Sequence, residues 1–192
     1  MTEFIRAQAI PDIKVLEPRK WTDDRGFFSE TYSRQVLVAA GLDLDFVQDN
    51  HAYSAEPWTL RGLHFQTAPF AQAKLIRVVR GAIFDVAVDL RAGSPTRGQW
   101  VSVVLSAENW KQILIPTGFA HGLLTLEPHT EVLYKVTAPY APDHDRGLAW
   151  DDPALAIDWP LAGHVPILSA KDRSQPRWAD LPALLGPKGE SP

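Results

Sequence analysis

The sequence predicts an all-β protein, an antiparallel sandwich or barrel with very little helix. Three observations carry that prediction. Between residues 73 and 136, short runs rich in β-branched residues repeat apolar side chains at every second position. The joints between the runs ("AGSPTRG", "PTG", "EPH") are made of turn-forming residues. Strand plus turn recurs about every ten residues, the spacing of antiparallel meanders rather than of parallel units with crossover helices.

Taken in order, the first element is a helix over residues 33–40 ("SRQVLVAA"), with Ser33 as its cap and Gly41 as its stop. "TLRGLHFQ" (59–66) places His64 and Gln66 on one face of a strand. "AKLIRVV" (73–79) sets Lys74, Ile76 and Val78 on one side and Leu75, Arg77 and Val79 on the other. "GAIFDVAVDL" (81–90) separates Phe84, Val86 and Val88 from Asp85, Ala87 and Asp89. Further strands are predicted at 100–105, 111–116, 121–126 and 131–136. Tryptophan and proline crowd the last third, as in "LAWDDPALAIDWP", which predicts ordered coil wrapped over the barrel. Residues 1–180 suit a single domain, and the Pro- and Gly-bearing tail 181–192 reads as a loose extension.

Composition excludes several functions. Net charge is -4 and no basic block occurs, so a nucleic acid polymer is not an expected partner, although a small anion held by a few cations is compatible. The absence of cysteine removes disulfides, thiolate metal sites and cysteine nucleophiles. No apolar run is long enough to span a membrane, and "MTEFIRAQAI" lacks a signal pattern, so the expected location is cytoplasmic.

Polar residues inside the strands carry the functional question. Lys74 has apolar neighbours at its own parity; it either snorkels to water from an edge or points into a cavity with negative charge. Asp85 reads equally well as a solvent-facing residue, and Tyr134, at the parity of Val132 and Val136, as a packing phenol.

The segment "PTGFAHG" has the Pro116, Gly118, His121 spacing of the second signature motif of cupin barrels, and the chain resembles that superfamily, whose fold is a double-stranded β-helix jelly roll. Metal-holding cupins carry His-x-His in their first motif. Here residues 64–66 are His-Phe-Gln, which leaves too few strong ligands for zinc or iron, so no metal and no other cofactor is expected. A narrower resemblance covers about residues 3 to 178. "DDRGFFSETY", "FVQDNH", "LRGLHFQ", "AQAKLIRVVRGAIFDVAVDLRAGSPT", "LSAEN", "IPTGFAHG", "EVLYKV" and "LSAKD" stand in the order found in the dTDP-4-dehydrorhamnose 3,5-epimerase family.

That resemblance implies a cofactor-independent isomerase acting on a dTDP-4-keto-6-deoxy sugar. It makes His64 the general base, Asp172 its partner and Tyr134 the general acid, and it sets Lys74 beside the sugar, where its charge makes it the candidate to stabilise the enolate oxygen. It implies substrate contacts from Arg25, Glu30, Gln48, Asn50, Asp49, Arg61, His121, Asp145 and Lys171, with Asp85 near the polar cluster. It also implies a homodimer whose N-terminal strands cross over, so that Arg25 and Glu30 serve the neighbouring site. Tyr140 is an aromatic available to stack on thymine. Three positions depart from the family pattern: Asp145 for glutamate, Ala73 for glycine and Arg97 for phenylalanine. Rival readings are a relative that inverts only C3 or only C5, a metal cupin, and a cupin that binds a sugar nucleotide without catalysis.

Overall fold

The computed structural model describes residues 5–181; the tail from residue 182 onward lies outside the described residues. Period-two runs pair into two antiparallel sheets laid face to face, the arrangement of a jelly roll. The strands are β1 (Ile5–Ala7), β2 (Lys14–Leu16), β3 (Trp21–Asp23), β4 (Gly26–Phe28), β5 (Gln48–Ser54), β6 (Leu60–Gln66) and β7 (Lys74–Arg80). They continue with β8 (Ala82–Asp89), β9 (Trp100–Ser106), β10 (Gln112–Ile115), β11 (Phe119–Thr125), β12 (Thr130–Val136) and β13 (Asp145–Gly147). One sheet runs β1-β2-β10-β7-β12-β5 and the other β13-β6-β11-β8-β9, while β3 and β4 form a separate hairpin.

Three apolar cores account for the pattern of burial. Ile76, Val78, Ile83, Ala87, Ile113 and Val132 meet between the sheets. On the outer face of the five-stranded sheet, Leu60, Leu63, Val86, Val88 and Leu124 are covered by Leu148, Leu155 and Trp159 from the wrap that follows β13. The wrap is coil and turns, tied down by the indole N–H of Trp100 to the Leu155 carbonyl (2.9 Å) and by Leu60 N–H to the Ile167 carbonyl (2.9 Å). On the outer face of the six-stranded sheet, Leu75 and Leu114 pack under Leu37 of α1 (Arg34–Ala39), whose first turn is capped by Ser33 accepting from Val36 N–H.

Because both faces of the inner strands are covered, alternation there does not mean solvent on one side. Asp85 is completely buried, which corrects the solvent-facing alternative. Lys74 is 9 % exposed and lies on the side of β7 that faces the other sheet, so it does not snorkel outward. Strand β11 begins at Phe119, two residues before the sequence suggested, because Phe119 and Ala120 already pair with Asp89 and Val88 of β8. No helix among the described residues is long and apolar enough to cross a membrane.

Candidate active site

His64 reaches the site through a bulge in β6. Its register against β11 shifts between His121 and Leu123, where Gly62 and Leu63 face the single Gly122. Gly62 adopts φ +119°, and a Cβ there would sit 2.6 Å from the Gly122 Cα and 2.7 Å from the His121 carbonyl, so only glycine fits. The bulge sends Leu63 into the outer core, leaves His64 on the cavity side, and turns the Gly62 N–H toward the Asp172 carboxylate.

Asp172 is delivered by the one-turn helix α2 (Ala170–Arg173). His64 Nε2 lies 2.6 Å from Asp172 Oδ1. Since the carboxylate only accepts, Nε2 carries the proton and Nδ1 is the basic nitrogen. Ser169 fixes the other end: its hydroxyl donates to Asp172 Oδ2 (2.7 Å) and accepts from Asp172 N–H (3.1 Å). Burial alone would raise the Asp172 pKa, but the bonds from His64, Ser169 and Gly62 outweigh it and hold the carboxyl below its ordinary value. Ser169 was not singled out from sequence. Its signal is the S-x-x-D spacing of "SAKD", a capping pattern in which the acid at the third position is also the partner of His64.

These groups open onto a cavity of about 300 Å³ lined by Gln48, Asn50, His64, Phe65, Gln66, Gln72, Lys74, Tyr134, Tyr140 and Asp145. The volume is at the lower end of the range for small-molecule sites. Burial pushes the Lys74 pKa down to about 8, with Asp85 and Asp145 pulling it up and Lys171 adding to the fall. Burial raises the Tyr134 phenol, against a smaller opposing pull from Arg61, so it stays protonated at neutral pH. His121, directly across from His64 in the β6–β11 pairing, gives its Nε2 to Asp85 Oδ2 at 2.8 Å. The other Asp85 oxygen is buried and has no hydrogen-bond partner among the described residues.

The chain, a jelly roll that sets His64–Asp172, Tyr134 and Lys74 around one cavity, is similar to known proteins. The model of the dTDP-4-dehydrorhamnose 3,5-epimerase family matches residues 7–180. The chain belongs to that family. It is 54 % identical over 173 residues to the dTDP-4-dehydrorhamnose 3,5-epimerase of Pseudomonas aeruginosa, covering 90 % of this chain and 94 % of that one. The crystal structure of the Bacillus anthracis dTDP-4-dehydrorhamnose 3,5-epimerase, with TDP and PPi bound, is similar at 55 % identity and TM-score 0.87, covering 90 % and 98 % of the two chains. An epimerase from Legionella pneumophila in complex with dTDP-4-keto-L-rhamnose is similar at 42 % identity and TM-score 0.89, covering 96 % and 98 %.

Several residues assigned through the family resemblance stand at the cavity, and others do not. Gln48 and Asn50 line it and share a hydrogen bond of 2.8 Å. Asp145 lines it too, paired with Lys171 and accepting the Tyr140 hydroxyl at 3.0 Å. Arg61 is exposed and held by Ser54 and the Tyr53 carbonyl. Asp49 alternates away from Gln48 and Asn50 and pairs with Lys135 at 2.8 Å. Arg25 sits in the β3–β4 turn, exposed and paired with Asp23 at 2.6 Å. Glu30 lines a different cavity, of about 260 Å³, beside Trp21, Tyr32 and Leu37. Gln66 is no ligand: its amide is spent on loop carbonyls and an N–H. Among the described residues no group of three or more His, Cys, Asp or Glu side chains could hold a metal ion.

Proposed function

We infer that the chain inverts C3 and C5 of dTDP-4-dehydro-6-deoxy-D-glucose to give dTDP-4-dehydro-L-rhamnose. The observation that carries the reading is the His64–Asp172 pair at 2.6 Å opening onto the same cavity as Tyr134 and Lys74. It is an arrangement suited to moving protons at carbon beside a ketone, and it occurs in a member of the epimerase family.

The C4 carbonyl of the substrate makes the protons at C3 and C5 acidic. His64 Nδ1 takes one of them, and the C–H electron pair moves into an enolate whose oxygen bears the negative charge. Lys74, as an ammonium in a dry site, stabilises that oxygen. The Tyr134 hydroxyl then returns a proton to the opposite face of the carbon, and the enolate collapses to the ketone. His64 gives its proton to solvent and the tyrosinate takes one, so the enzyme is restored. Asp172 keeps the imidazole in the right tautomer and favours the imidazolium as it forms. Asp85 and His121 act behind Lys74, setting negative charge beside the ammonium.

Gln48, Asn50, Arg61, Asp145 and Lys171 form the substrate-contacting set in this reading. Arg25 and Glu30 join it across a homodimer with exchanged N-terminal strands; the exposed Trp21, Phe27 and Phe28 of the β3–β4 hairpin support such an interface. Asp49 faces away from the cavity here and enters the site only if that interface redirects it. The catalytic unit is the single domain of residues 1–180, and a nucleotide-sugar substrate goes with a cytoplasmic enzyme.

Proton NMR of dTDP-4-dehydro-6-deoxy-D-glucose in D₂O tests the assignment. The wild type should wash out both the C3 and C5 protons and form the L-sugar, and His64→Asn should do neither while keeping the fold. Exchange at a single carbon by the wild type would replace the reading with a monofunctional epimerase, and undiminished exchange by His64→Asn would remove His64 as the base.

A further inference from the structure

Gln66 occupies the position where the sequence departs from the His-x-His of metal-holding cupins, and it is 7 % exposed. Its amide is fully employed. Nε2 donates to the Phe70 carbonyl (2.6 Å) and the Pro139 carbonyl (3.1 Å), and Oε1 accepts from Ala141 N–H (2.8 Å). Two other glutamines grip the same stretch: Gln72 Nε2 donates to the Ala138 carbonyl (2.8 Å), and Gln48 Oε1 accepts from Tyr140 N–H (3.2 Å). The backbone on either side bonds to backbone, Thr137 N–H to Ala73 and His144 N–H to Ala141. Between them, polar groups that a strand would satisfy by its ladder are met by side-chain amides instead.

The stretch so held carries Tyr140, which lines the cavity beside Asp145 and donates its hydroxyl to it. His64, Lys74 and Tyr134 come from strands β6, β7 and β12 and do not depend on this segment. We propose that Gln66, with Gln72, is a positioning residue that sets residues 138–141, and through them Tyr140 and Asp145, at the cavity rim, where the exposed Tyr140 ring offers a stacking face to the base of the nucleotide. The proposal rests on the epimerase reading and separates binding from chemistry within it.

In Gln66→Glu a carboxylate would face two carbonyl oxygens, and in Gln66→Met all three bonds are lost with little change of length. Both variants should raise KM for the sugar nucleotide and Kd for dTDP by about tenfold or more, the scale of a lost buried hydrogen bond. The turnover number should stay within about threefold, because an interaction spent on binding alone moves KM and not kcat. A purely architectural role would lower thermal stability and leave KM and Kd of the folded fraction unchanged, which would overturn the proposal; so would a fall in kcat at unchanged KM. If neither variant folds, Gln72→Leu removes only the bond to Ala138, and an unchanged dTDP affinity there overturns it. Should the wild type not turn over the 4-keto sugar, the epimerase reading fails, while the dTDP affinities of wild type and variants still decide the role of Gln66.

Discussion

In the proposed mechanism Lys74 supplies the positive charge, and its burial puts a cost on the fold that replacing it with methionine should expose. The chain length is kept and the charge removed. The ammonium pKa falls from 10.5 to about 8, which corresponds to about 3 kcal/mol for keeping the group charged at neutral pH. The attraction of Asp85 and Asp145 is already contained in that figure. Lys74→Met should therefore be more stable than the wild type at pH 7 by about 3 kcal/mol, or roughly 10 °C in Tm for a chain of this size. The sign follows from proton counting. An unfolded lysine holds its proton up to about 10.5 and the folded one releases it near 8, so between those values the unfolded chain binds more protons and wild-type stability rises with pH. The advantage of the variant should be full below pH 8 and gone above about 10.5. Urea unfolding of both proteins at pH 7, 9 and 10.5 measures it. In parallel, wild-type kcat/KM should fall about tenfold per pH unit above pH 8 as the ammonium is lost, and the variant should be inactive. A variant less stable than wild type at pH 7, or a difference that does not shrink across the window, would refute the reasoning.

Two further substitutions separate the acid from the base. Tyr134→Phe should keep deuterium wash-in that depends on His64 while formation of the inverted sugar falls roughly 100-fold or more; unchanged inversion would remove Tyr134 as the acid. Asp172→Asn should lower kcat by roughly 100- to 10000-fold. Because the native carboxyl titrates below its value of 3.8 in the unfolded chain, its contribution to stability is present above that pH and is lost as pH falls through the native pKa. Denaturation midpoints of wild type and variant should differ at pH 7 and converge in strong acid, and a difference independent of pH would contradict the role.

The sheet strands from residue 74 to 136 were legible because each is long enough to show its period, and the helix because Ser33 and Gly41 bracket it. Strands β1 to β4 were not, since three-residue strands such as Lys14–Leu16 show no period at all. Burial stayed open in the sequence where a second layer covers the sheet: alternation gives Asp85 the face opposite Val86, and the space between the sheets is that face. At the site, the shared orientation of His64 and Gln66 could be read from a strand, and the oddity of Lys74 from its apolar neighbours. The contact of His64 with Asp172 spans 108 positions and follows from no local pattern; the family resemblance supplied it. The outward course of Asp49 was readable in principle, because neighbours on a strand cannot share a face with Gln48 and Asn50.

The position of α2 bears on when competence arrives during synthesis. Among the described residues the last strand, β13, ends at Gly147, so every strand of both sheets is synthesised before Asp172 is added. A nascent chain that stops within the wrap possesses all the strands and lacks the carboxylate that orients His64. The same holds for a protein cut by a protease between residues 148 and 169 that then sheds the distal piece. In order of synthesis the strands precede that carboxylate, and under the proposed mechanism a chain whose turn Ala170–Arg173 has not docked should stay silent toward the 4-keto sugar.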